Sequence, residues 1–161
     1  MSDAQKYDVL VIGAGSGGLT AAVGFAKAGR KVLLVEREHL GGECTHAGCV
    51  PSKALLHIAK SYHAAKQIAG DSARSKKYRD GALEYVRGKI GAIAETETKE
   101  HFAEFGIDVV IGEAKFVSPS AIQVGKVVYE FKKAVIASGS NPRLVKVPGL
   151  NEKDVLTNQN L

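Results

Sequence analysis

The stretch Tyr7-Asp8-Val9-Leu10-Val11-Ile12-Gly13-Ala14-Gly15-Ser16-Gly17-Gly18 decides the fold of this chain. Its first half is a short apolar run, typical of a buried strand, and its second half is rich in glycine. Apolar residues then recur at helical spacing as far as Ala26, and Gly29 stands where a helix would be capped. Residues 31–35 predict a second strand that ends at Glu36. The sequence therefore predicts a strand–helix–strand unit with parallel strands and a right-handed crossover.

The glycine-rich turn has the spacing Gly13-x-Gly15-x-x-Gly18. In this pattern the glycines provide a tight turn, a close approach of the backbone to a pyrophosphate, and close packing of the helix on the strand. The N–H groups at the start of the helix would face the phosphates. Glu36 stands where a carboxylate accepts hydrogen bonds from ribose hydroxyls, which argues against a 2′-phosphate. The pattern predicts a site for FAD or NAD, and the alternative is a glycine-rich turn without a ligand.

The remainder of the chain predicts further helices followed by short strands. Helical spacing predicts helices over residues 52–69 and 83–105, the second capped by Gly106, with a loop or frayed helix end between them at 70–80. Turn residues then separate short strands that read as antiparallel hairpins, at 107–111, 114–117, 121–124 and 127–131. Residues 134–137 predict one more buried strand, and the chain is loop-like from Asn141 onward. We expect an α/β fold: a parallel sheet flanked by helices, with a small antiparallel meander packed on it.

Cys44 and Cys49 are the only cysteines in the sequence. The second precedes Pro51, which suits the first turn of a helix, and the positive end of a helix dipole favours a thiolate. Three interpretations compete: a redox-active disulfide, half of a metal site, or two inert buried thiols. A zinc site would need two further ligands at fitting spacing, and only His46 lies within the loop. Inert thiols would not require the surrounding glycines at 41, 42 and 48, so the redox interpretation is favoured.

Composition places the chain among ordinary globular proteins. It has 161 residues, 45% of them hydrophobic, which suggests one domain. No apolar run is long enough to cross a membrane, and the polar N-terminus has no signal-peptide core, so we expect a cytoplasmic protein. A cysteine pair in that compartment is usually catalytic, redox-sensing or metal-binding. The net charge of +5 comes largely from residues 74–79. Without a nucleic-acid motif, this run reads as a solvated surface rather than a nucleic-acid site.

The cysteine segment Gly41-Gly42-x-Cys44-x-x-x-Gly48-Cys49-Val50-Pro51-Ser52-Lys53 closely resembles the active-site signature of the class I pyridine nucleotide–disulfide oxidoreductases. These are FAD enzymes that include dihydrolipoamide dehydrogenase, glutathione reductase and mercuric reductase. The glycine motif, Glu36 and the run Ala137-Ser138-Gly139-Ser140-Asn141-Pro142 resemble their counterparts in the same family, in the same order. The resemblance implies a Rossmann-like FAD-binding domain.

The resemblance also assigns roles by position. Cys44 would be the interchange thiol that meets the substrate, Cys49 would lie beside the flavin as the charge-transfer thiolate, and Lys53 would lie near flavin N5. The residues that would bind the cofactor are Gly13, Gly15 and Gly18 at the pyrophosphate, Glu36 at the adenosine ribose, Ala114 at the adenine, and Gly42, Ser138 and Gly139 along the remainder. No metal ligand is implied.

Three positions depart from the family pattern. Glu43 and Ser138 stand where threonine is usual; the serine keeps the hydroxyl, whereas a carboxylate at 43 should raise the pKa of Cys44. Ser52 stands where glutathione reductases commonly have lysine, which favours the dihydrolipoamide or mercuric reductase branches. His46, if charged, would lower the pKa of Cys44, but we expect an ordinary loop histidine.

Family members are much longer than this chain. Residues 1–161 would be the N-terminal part of the FAD-binding domain, and the sequence shows neither a second glycine fingerprint for NAD nor the His–Glu acid–base pair of a dimerisation domain. The full protein would be a homodimer that passes electrons from NAD(P)H through FAD to a disulfide or thiol-bound substrate, most like dihydrolipoamide dehydrogenase. We expect the present chain to be inactive alone, with no nucleic-acid or membrane partner. The alternatives are a mercuric or glutathione reductase-like flavoenzyme, or a non-catalytic nucleotide-binding module with redox-sensing or metal-binding cysteines.

Overall fold

The computed structural model describes residues 5–70 and 72–160, except for the side chains of residues 73–75 and 152. Within these described ranges there are six strands and six helices, followed by a short 3-10 turn at Glu152–Asp154. The strands are β1 (Gln5–Ile12), β2 (Val32–Glu36), β3 (Ile107–Ile111), β4 (Ala114–Ser118), β5 (Ala121–Val124) and β6 (Val127–Ile136). The helices are α1 (Ser16–Lys27), α2 (Gly42–His46), α3 (Cys49–Ala69), α4 (Ala73–Asp80), α5 (Ala82–Ala94) and α6 (Lys99–Ala103). The predicted α/β class is confirmed.

One half of the sheet is parallel. The strand order is β3-β2-β1-β6-β5-β4, and β1 pairs in parallel with both β2 and β6. The unit β1-α1-β2 is the predicted strand–helix–strand unit, and Gly29, at a φ of 74°, follows α1 as expected. The prediction that β3 belongs to an antiparallel hairpin is wrong: β3 pairs in parallel with β2. Its apolar residues complete the buried edge of the parallel sheet, where Ile107 is only 1% exposed.

The antiparallel half belongs to the same sheet, because β6 pairs with β1 on one side and with β5 on the other. In place of the two strands expected at 127–131 and 134–137, there is one continuous strand, β6, which ends at Ile136. It pairs with β5 at its start and with β1 from Tyr129 onward. Apolar side chains of β5 and β6 nevertheless fold over one face of the parallel strands. The cluster on this face comprises Tyr7, Leu10, Leu33, Val35, Ile122, Val124, Tyr129 and Phe131. The meander is therefore packed on the sheet as predicted, and is also continuous with it.

Helices cover the opposite face and one side. Helix α1 and Phe102 of α6 pack on the other face of β1 and β2 in a second apolar cluster. Residues 70–80, expected as a loop or frayed end, contain helix α4, which packs against α3. The single long helix expected over 83–105 is instead α5 and α6. A new helix begins after Thr98, because the Thr98 hydroxyl accepts the His101 N–H at 3.2 Å and so caps α6. The helix α6 ends at Ala103 with Glu104 as its C-cap, and Gly106, predicted as the cap, lies two residues further on in the turn, at a φ of 75°.

The carboxyl ends of β1, β2 and β6 lie side by side, because these strands are parallel neighbours. The three segments that follow them contain the glycine motif, Glu36 with the cysteine loop, and Ser138. In an open parallel sheet, ligands bind at this edge. None of the helices in residues 5–70 and 72–160 is both long enough and apolar enough to cross a bilayer.

Candidate active site

The glycine loop after β1 has the backbone geometry that the sequence predicts. Gly13 has a φ of 98°, and a β-carbon there would lie 2.3 Å from the Ala137 carbonyl oxygen. A β-carbon at Gly18 would lie 1.8 Å from the Gly13 carbonyl oxygen, so α1 approaches the strand more closely than any side chain allows. Gly15 differs from both: it precedes α1 as its N-cap, and a β-carbon there would meet nothing within 4 Å. The open space at Gly15 lies where the first-turn N–H groups of α1 are available to an anion.

Glu36 ends β2 beside this loop. Its Oε2 accepts the Ala14 N–H at 2.6 Å, and its Oε1 accepts the Glu38 N–H at 2.8 Å. Each carboxylate oxygen has a second lone pair, so both can still accept a hydroxyl. Glu36 therefore holds the glycine loop in place and also faces the space next to it.

The cysteine loop rests directly on the glycine loop. Gly42 has a φ of 58°, and a β-carbon there would lie 2.7 Å from the Gly15 Cα. The Gly41 N–H donates to the Ala14 carbonyl at 2.9 Å, which adds a second link between the two loops. A β-carbon at Gly41 would collide with the carboxylate of Glu97 and the hydroxyl of Thr45, which is buried. The glycines around the cysteines are thus explained by close packing.

Cys44 lies in α2 and Cys49 begins α3. The structure has both as free thiols, whereas the sequence predicted a disulfide. The two side chains share a hydrogen bond, so the pair is adjacent, as the prediction required; sequence spacing sets this proximity and not the oxidation state. Cys44 is half-buried and Cys49 is exposed.

Cys49 also controls the acidity of Cys44. The side-chain hydrogen bond from Cys49 raises the pKa of Cys44 above its ordinary value of 9.0, and burial and the Cys49 charge act in the same direction. The Cys49 backbone N–H and the Lys53 charge lower this pKa, but they do not outweigh the other effects. The predicted direction is right and the predicted cause is wrong, because the Cys49 side chain and burial raise this pKa and Glu43 is not among the groups that shift it.

His46 has a structural role in this loop. Its Nε2 lies 3.0 Å from the Leu40 carbonyl oxygen, which can only accept, so Nε2 donates. Its ring also contacts the ring of His39, with centroids 5.3 Å apart. This agrees with the expectation of an ordinary loop histidine. Within the described ranges, 5–70 and 72–160, no three His, Cys, Asp or Glu side chains group as metal ligands.

A single cleft of about 610 Å³ joins the glycine loop to the cysteines. Of the residues predicted from the sequence, this cleft is lined by Gly13, Gly15, Glu36, Gly42, Cys44, Cys49, Ser138 and Gly139. Ala114 instead lines an adjoining cavity of about 190 Å³ that shares Gly13, Glu36 and Ser138 with the cleft. Gly18 is buried beneath the loop, and Lys53 lies one helical turn beyond Cys49, outside the lining. The predicted residues therefore converge on one edge of the sheet.

Several residues of the cleft were not predicted. Arg37 follows Glu36, Asn141 follows the Ser138 segment, and Gln159 comes from the far end of the chain. The positions of Arg37 and Asn141 next to predicted residues could have indicated them. Nothing in the local sequence around Gln159 indicates a site, because its place depends on the path of residues 141–158.

The cleft fits an extended dinucleotide. The open space at Gly15 admits a pyrophosphate to the start of α1, and Glu36 stands to one side of it. The adjoining cavity at Ala114 could take the adenine, and the cysteines line the cleft but not that cavity. The residues present are thus compatible with FAD placed between Ala114 and Cys49.

Residues 7–161 match the pyridine nucleotide-disulphide oxidoreductase family. Mercuric reductase from Lysinibacillus sphaericus is 31% identical over 160 residues, which cover 98% of this chain and 29% of that protein. Dihydrolipoyl dehydrogenase from Thermus scotoductus is 34% identical over 151 residues, covering 88% and 31% respectively. Among solved structures, the HOCl-induced flavoprotein disulfide reductase RclA from Escherichia coli superposes with a TM-score of 0.70 at 28% identity, over 89% of this chain and 30% of RclA.

The chain spans about a third of the length of the curated relatives it matches. The family match nevertheless covers nearly all of the present sequence, and the fold agrees with that of a flavoprotein disulfide reductase. The chain belongs to the pyridine nucleotide-disulphide oxidoreductase family, a membership that implies FAD as cofactor.

Proposed function

We propose that this chain is the FAD- and cysteine-bearing part of an oxidoreductase that passes electrons from NAD(P)H to a disulfide or thiol-bound substrate. The observation that supports this most strongly is the single cleft lined by both Gly15 and the Cys44–Cys49 pair. FAD, when bound, supplies the two-electron relay between the nicotinamide and the cysteines. A dinucleotide-binding module without redox chemistry would not need its cysteines in the same cleft as its phosphate loop.

Different residues of the cleft would bind different parts of the cofactor. The N–H groups at the start of α1 would bind the pyrophosphate through the opening at Gly15. The Glu36 carboxylate would accept from the adenosine ribose, and the backbone at Ala114 would contact the adenine. Ser138 and Gly139 border the cleft between these groups and the cysteines. These assignments follow the family pattern position by position.

The cysteine pair would exchange electrons with the substrate by thiol–disulfide exchange. In the reducing direction, the Cys44 thiolate attacks a substrate disulfide and forms a mixed disulfide, and the first substrate thiolate leaves. The Cys49 thiolate then attacks the Cys44 sulfur, which forms the Cys44–Cys49 disulfide and releases the second substrate thiolate. Two electrons pass from the protein to the substrate, and the two leaving thiolates take up the two protons lost by the cysteines. A dithiol substrate would run the same steps in reverse.

We propose a substrate of the dihydrolipoamide type, with a mercuric or glutathione reductase-like activity as the alternative. Ser52 favours a dihydrolipoamide dehydrogenase-like or mercuric reductase-like activity over a glutathione reductase-like one, because glutathione reductases commonly have lysine at this position. The relatives include both mercuric reductases and dihydrolipoyl dehydrogenases at similar identity, 31% and 34%. We further propose that the full protein is a cytoplasmic homodimer, with residues 1–161 as the N-terminal part of its FAD-binding domain.

A glycine substitution tests the position of the cofactor. Gly15→Ala places a methyl group in the open space of the cleft without touching any protein atom within 4 Å, and the φ of −75° suits alanine. We expect FAD affinity to fall at least about tenfold, equivalent to about 1.4 kcal/mol, as measured by quenching of flavin fluorescence. Gly24→Ala, in the helix α1 that Gly15 caps and equally open, is the matched control and should bind FAD normally. Equal affinity in both variants would contradict the assigned site.

The isolated chain should not turn over. The acid–base pair and the second nucleotide site of the family pattern are not among its residues, so NADH should not reduce lipoamide, glutathione disulfide or Hg(II) at rates normal for the family when FAD is added. The assay follows NADH absorbance with purified chain and added FAD. Turnover at a normal rate would show that residues 1–161 are sufficient for catalysis.

A further inference from the structure

A compact polar turn at residues 157–160 lies at the rim of the cofactor cleft. The backbone N–H and the hydroxyl of Thr157 both donate to the Asn160 Oδ1, at 2.5 and 3.0 Å. The Gln159 N–H donates back to the Thr157 hydroxyl at 3.2 Å, and the Asn160 side-chain amide donates to the Val155 carbonyl at 3.1 Å. Since these bonds lie within residues 155–160, local side chains set the shape of the turn.

One contact ties this turn to the cysteine loop. The Asn158 side-chain amide donates to the Glu43 Oε1, across 115 positions of the sequence. Glu43 is the residue immediately before Cys44, and its carboxylate makes this a charge-assisted hydrogen bond. The contact brings the neighbouring Gln159 to the cleft, which both Glu43 and Gln159 line.

The turn forms a wall of the cleft and does not fill it. With the turn in place, the cleft still has a volume of about 610 Å³ and remains continuous from Gly15 to Cys49. Gln159 and Glu43 together also line a second cavity, of about 350 Å³, next to Glu36. A cofactor in the cleft would therefore lie between the glycine loop on one side and the turn on the other.

We propose that the Asn158–Glu43 hydrogen bond is a clasp that holds the turn 157–160 against the cofactor cleft and slows the release of FAD. The clasp rests on the proposed function, because it acts on bound FAD. Its two members are positioning residues: they keep Gln159 in the cleft wall before the cofactor arrives, so less conformational freedom is lost on binding. At position 43 the carboxylate, which replaces the usual threonine, thus provides the acceptor for a distant segment.

The test compares FAD release from four forms of the chain. Asn158→Ala removes the donor and leaves the Glu43 charge in place, and we expect FAD to dissociate about three- to tenfold faster, the effect of losing one hydrogen bond at a solvent-exposed site. Glu43→Gln keeps an acceptor oxygen and should stay closer to wild type. The matched control is Asn151→Ala: Asn151 lies on the same segment, accepts the Lys153 N–H at 3.1 Å and does not line the cleft. Dissociation is followed by the recovery of flavin fluorescence after dilution.

Hydrogen exchange gives a readout that does not depend on FAD. In the cofactor-free chain, the amides of residues 157–160 should exchange faster in Asn158→Ala than in wild type or Asn151→Ala, while the unfolding temperature stays unchanged. Equal dissociation rates in wild type and Asn158→Ala, or equal exchange, would overturn the clasp alone. If wild type binds no FAD at any concentration, the proposed function fails and the role of the clasp in cofactor release fails with it.

Discussion

Gly42 packs directly on Gly15, so that a β-carbon at position 42 would lie only 2.7 Å from the Gly15 Cα. This contact fixes the cysteine loop against the glycine loop, although the two motifs are separated by α1 and β2. The opening for a pyrophosphate and the thiols of Cys44 and Cys49 are therefore parts of one rigid cleft edge.

Gly42→Ala should disrupt both the fold and the site. Alanine at a φ of 58° costs roughly 1–2 kcal/mol, and the collision with Gly15 adds about 1–3 kcal/mol of overpacking. We expect the free energy of unfolding in urea to fall by about 2–5 kcal/mol and FAD binding to weaken. Gly24→Ala, on an open helix surface, should instead be neutral or stabilising by up to about 1 kcal/mol. An unchanged stability in Gly42→Ala would mean that the two loops are not in contact.

The alkylation rate of Cys44 should rise at a higher pH than that of an ordinary thiol. Because Cys49 raises the pKa of Cys44 above 9.0, the rate of Cys44 alkylation by iodoacetamide should reach half of its maximum above that pH. Cys49→Ala removes the hydrogen bond and the charge, so the midpoint should move down toward the ordinary value. Lys53→Met removes a charge that lowers this pKa, so the midpoint should move up. Lys60→Met, farther along α3, is the matched control and should leave the midpoint unchanged.

The same pKa shift affects stability in alkali. The native Cys44 thiol holds its proton more tightly than the thiol of the unfolded chain does, so the unfolded state loses its proton first as the pH rises past 9.0. Folding stability due to this group is complete below that pH and decreases above it. Denaturant unfolding from pH 8 upward should show a steeper loss in wild type than in Cys44→Ser. Parallel curves for the two proteins would contradict the raised pKa of Cys44.

The order in which the two reduced thiols are alkylated should depend on FAD. Cys49 is exposed and Cys44 is half-buried with a raised pKa, so Cys49 should be labelled first in the cofactor-free chain. With FAD bound, the family pattern places the flavin over Cys49 and leaves Cys44 toward the substrate, so Cys44 should be labelled first. Mass spectrometry of peptides after brief iodoacetamide treatment distinguishes the two. An order that FAD does not change would refute the placement of Cys49 beside the flavin.

Local patterns in the sequence were sufficient for the first strand–helix–strand unit and for the glycine loop. The three glycine tasks follow from backbone geometry that short-range spacing encodes, and Gly13 and Gly18 have the predicted close approaches. The cysteine loop was recognisable for the same reason. The contact of the cysteine loop with Gly15, in contrast, joins two separate motifs, and no pattern within either motif predicts it.

Pairing between distant segments could not be read from the sequence. Lys132 and Lys133 interrupt an apolar run and so predicted a break, yet β6 continues through them because β1 provides hydrogen-bond partners along this edge. The Lys132 ammonium also pairs with Asp8 of β1 at 2.6 Å. The short connection from β3 to the next strands predicts a hairpin, but the partner of β3 is β2, more than sixty positions earlier in the sequence. The Asn158–Glu43 contact is a further case, since it spans 115 positions.

Whether the cofactor and the cysteine pair share one cleft is tested most directly by the visible spectrum of the chain with both cysteines reduced to thiols and oxidised FAD bound. The family pattern places the Cys49 thiolate against the flavin, so wild type and Cys44→Ser should show a long-wavelength charge-transfer absorbance and Cys49→Ser should lack it. All three should bind FAD, because neither sulfur is needed for the pyrophosphate contacts at Gly15. Spectra of bound FAD that are identical in all three proteins would show that the cysteines do not contact the cofactor, which would contradict the shared cleft.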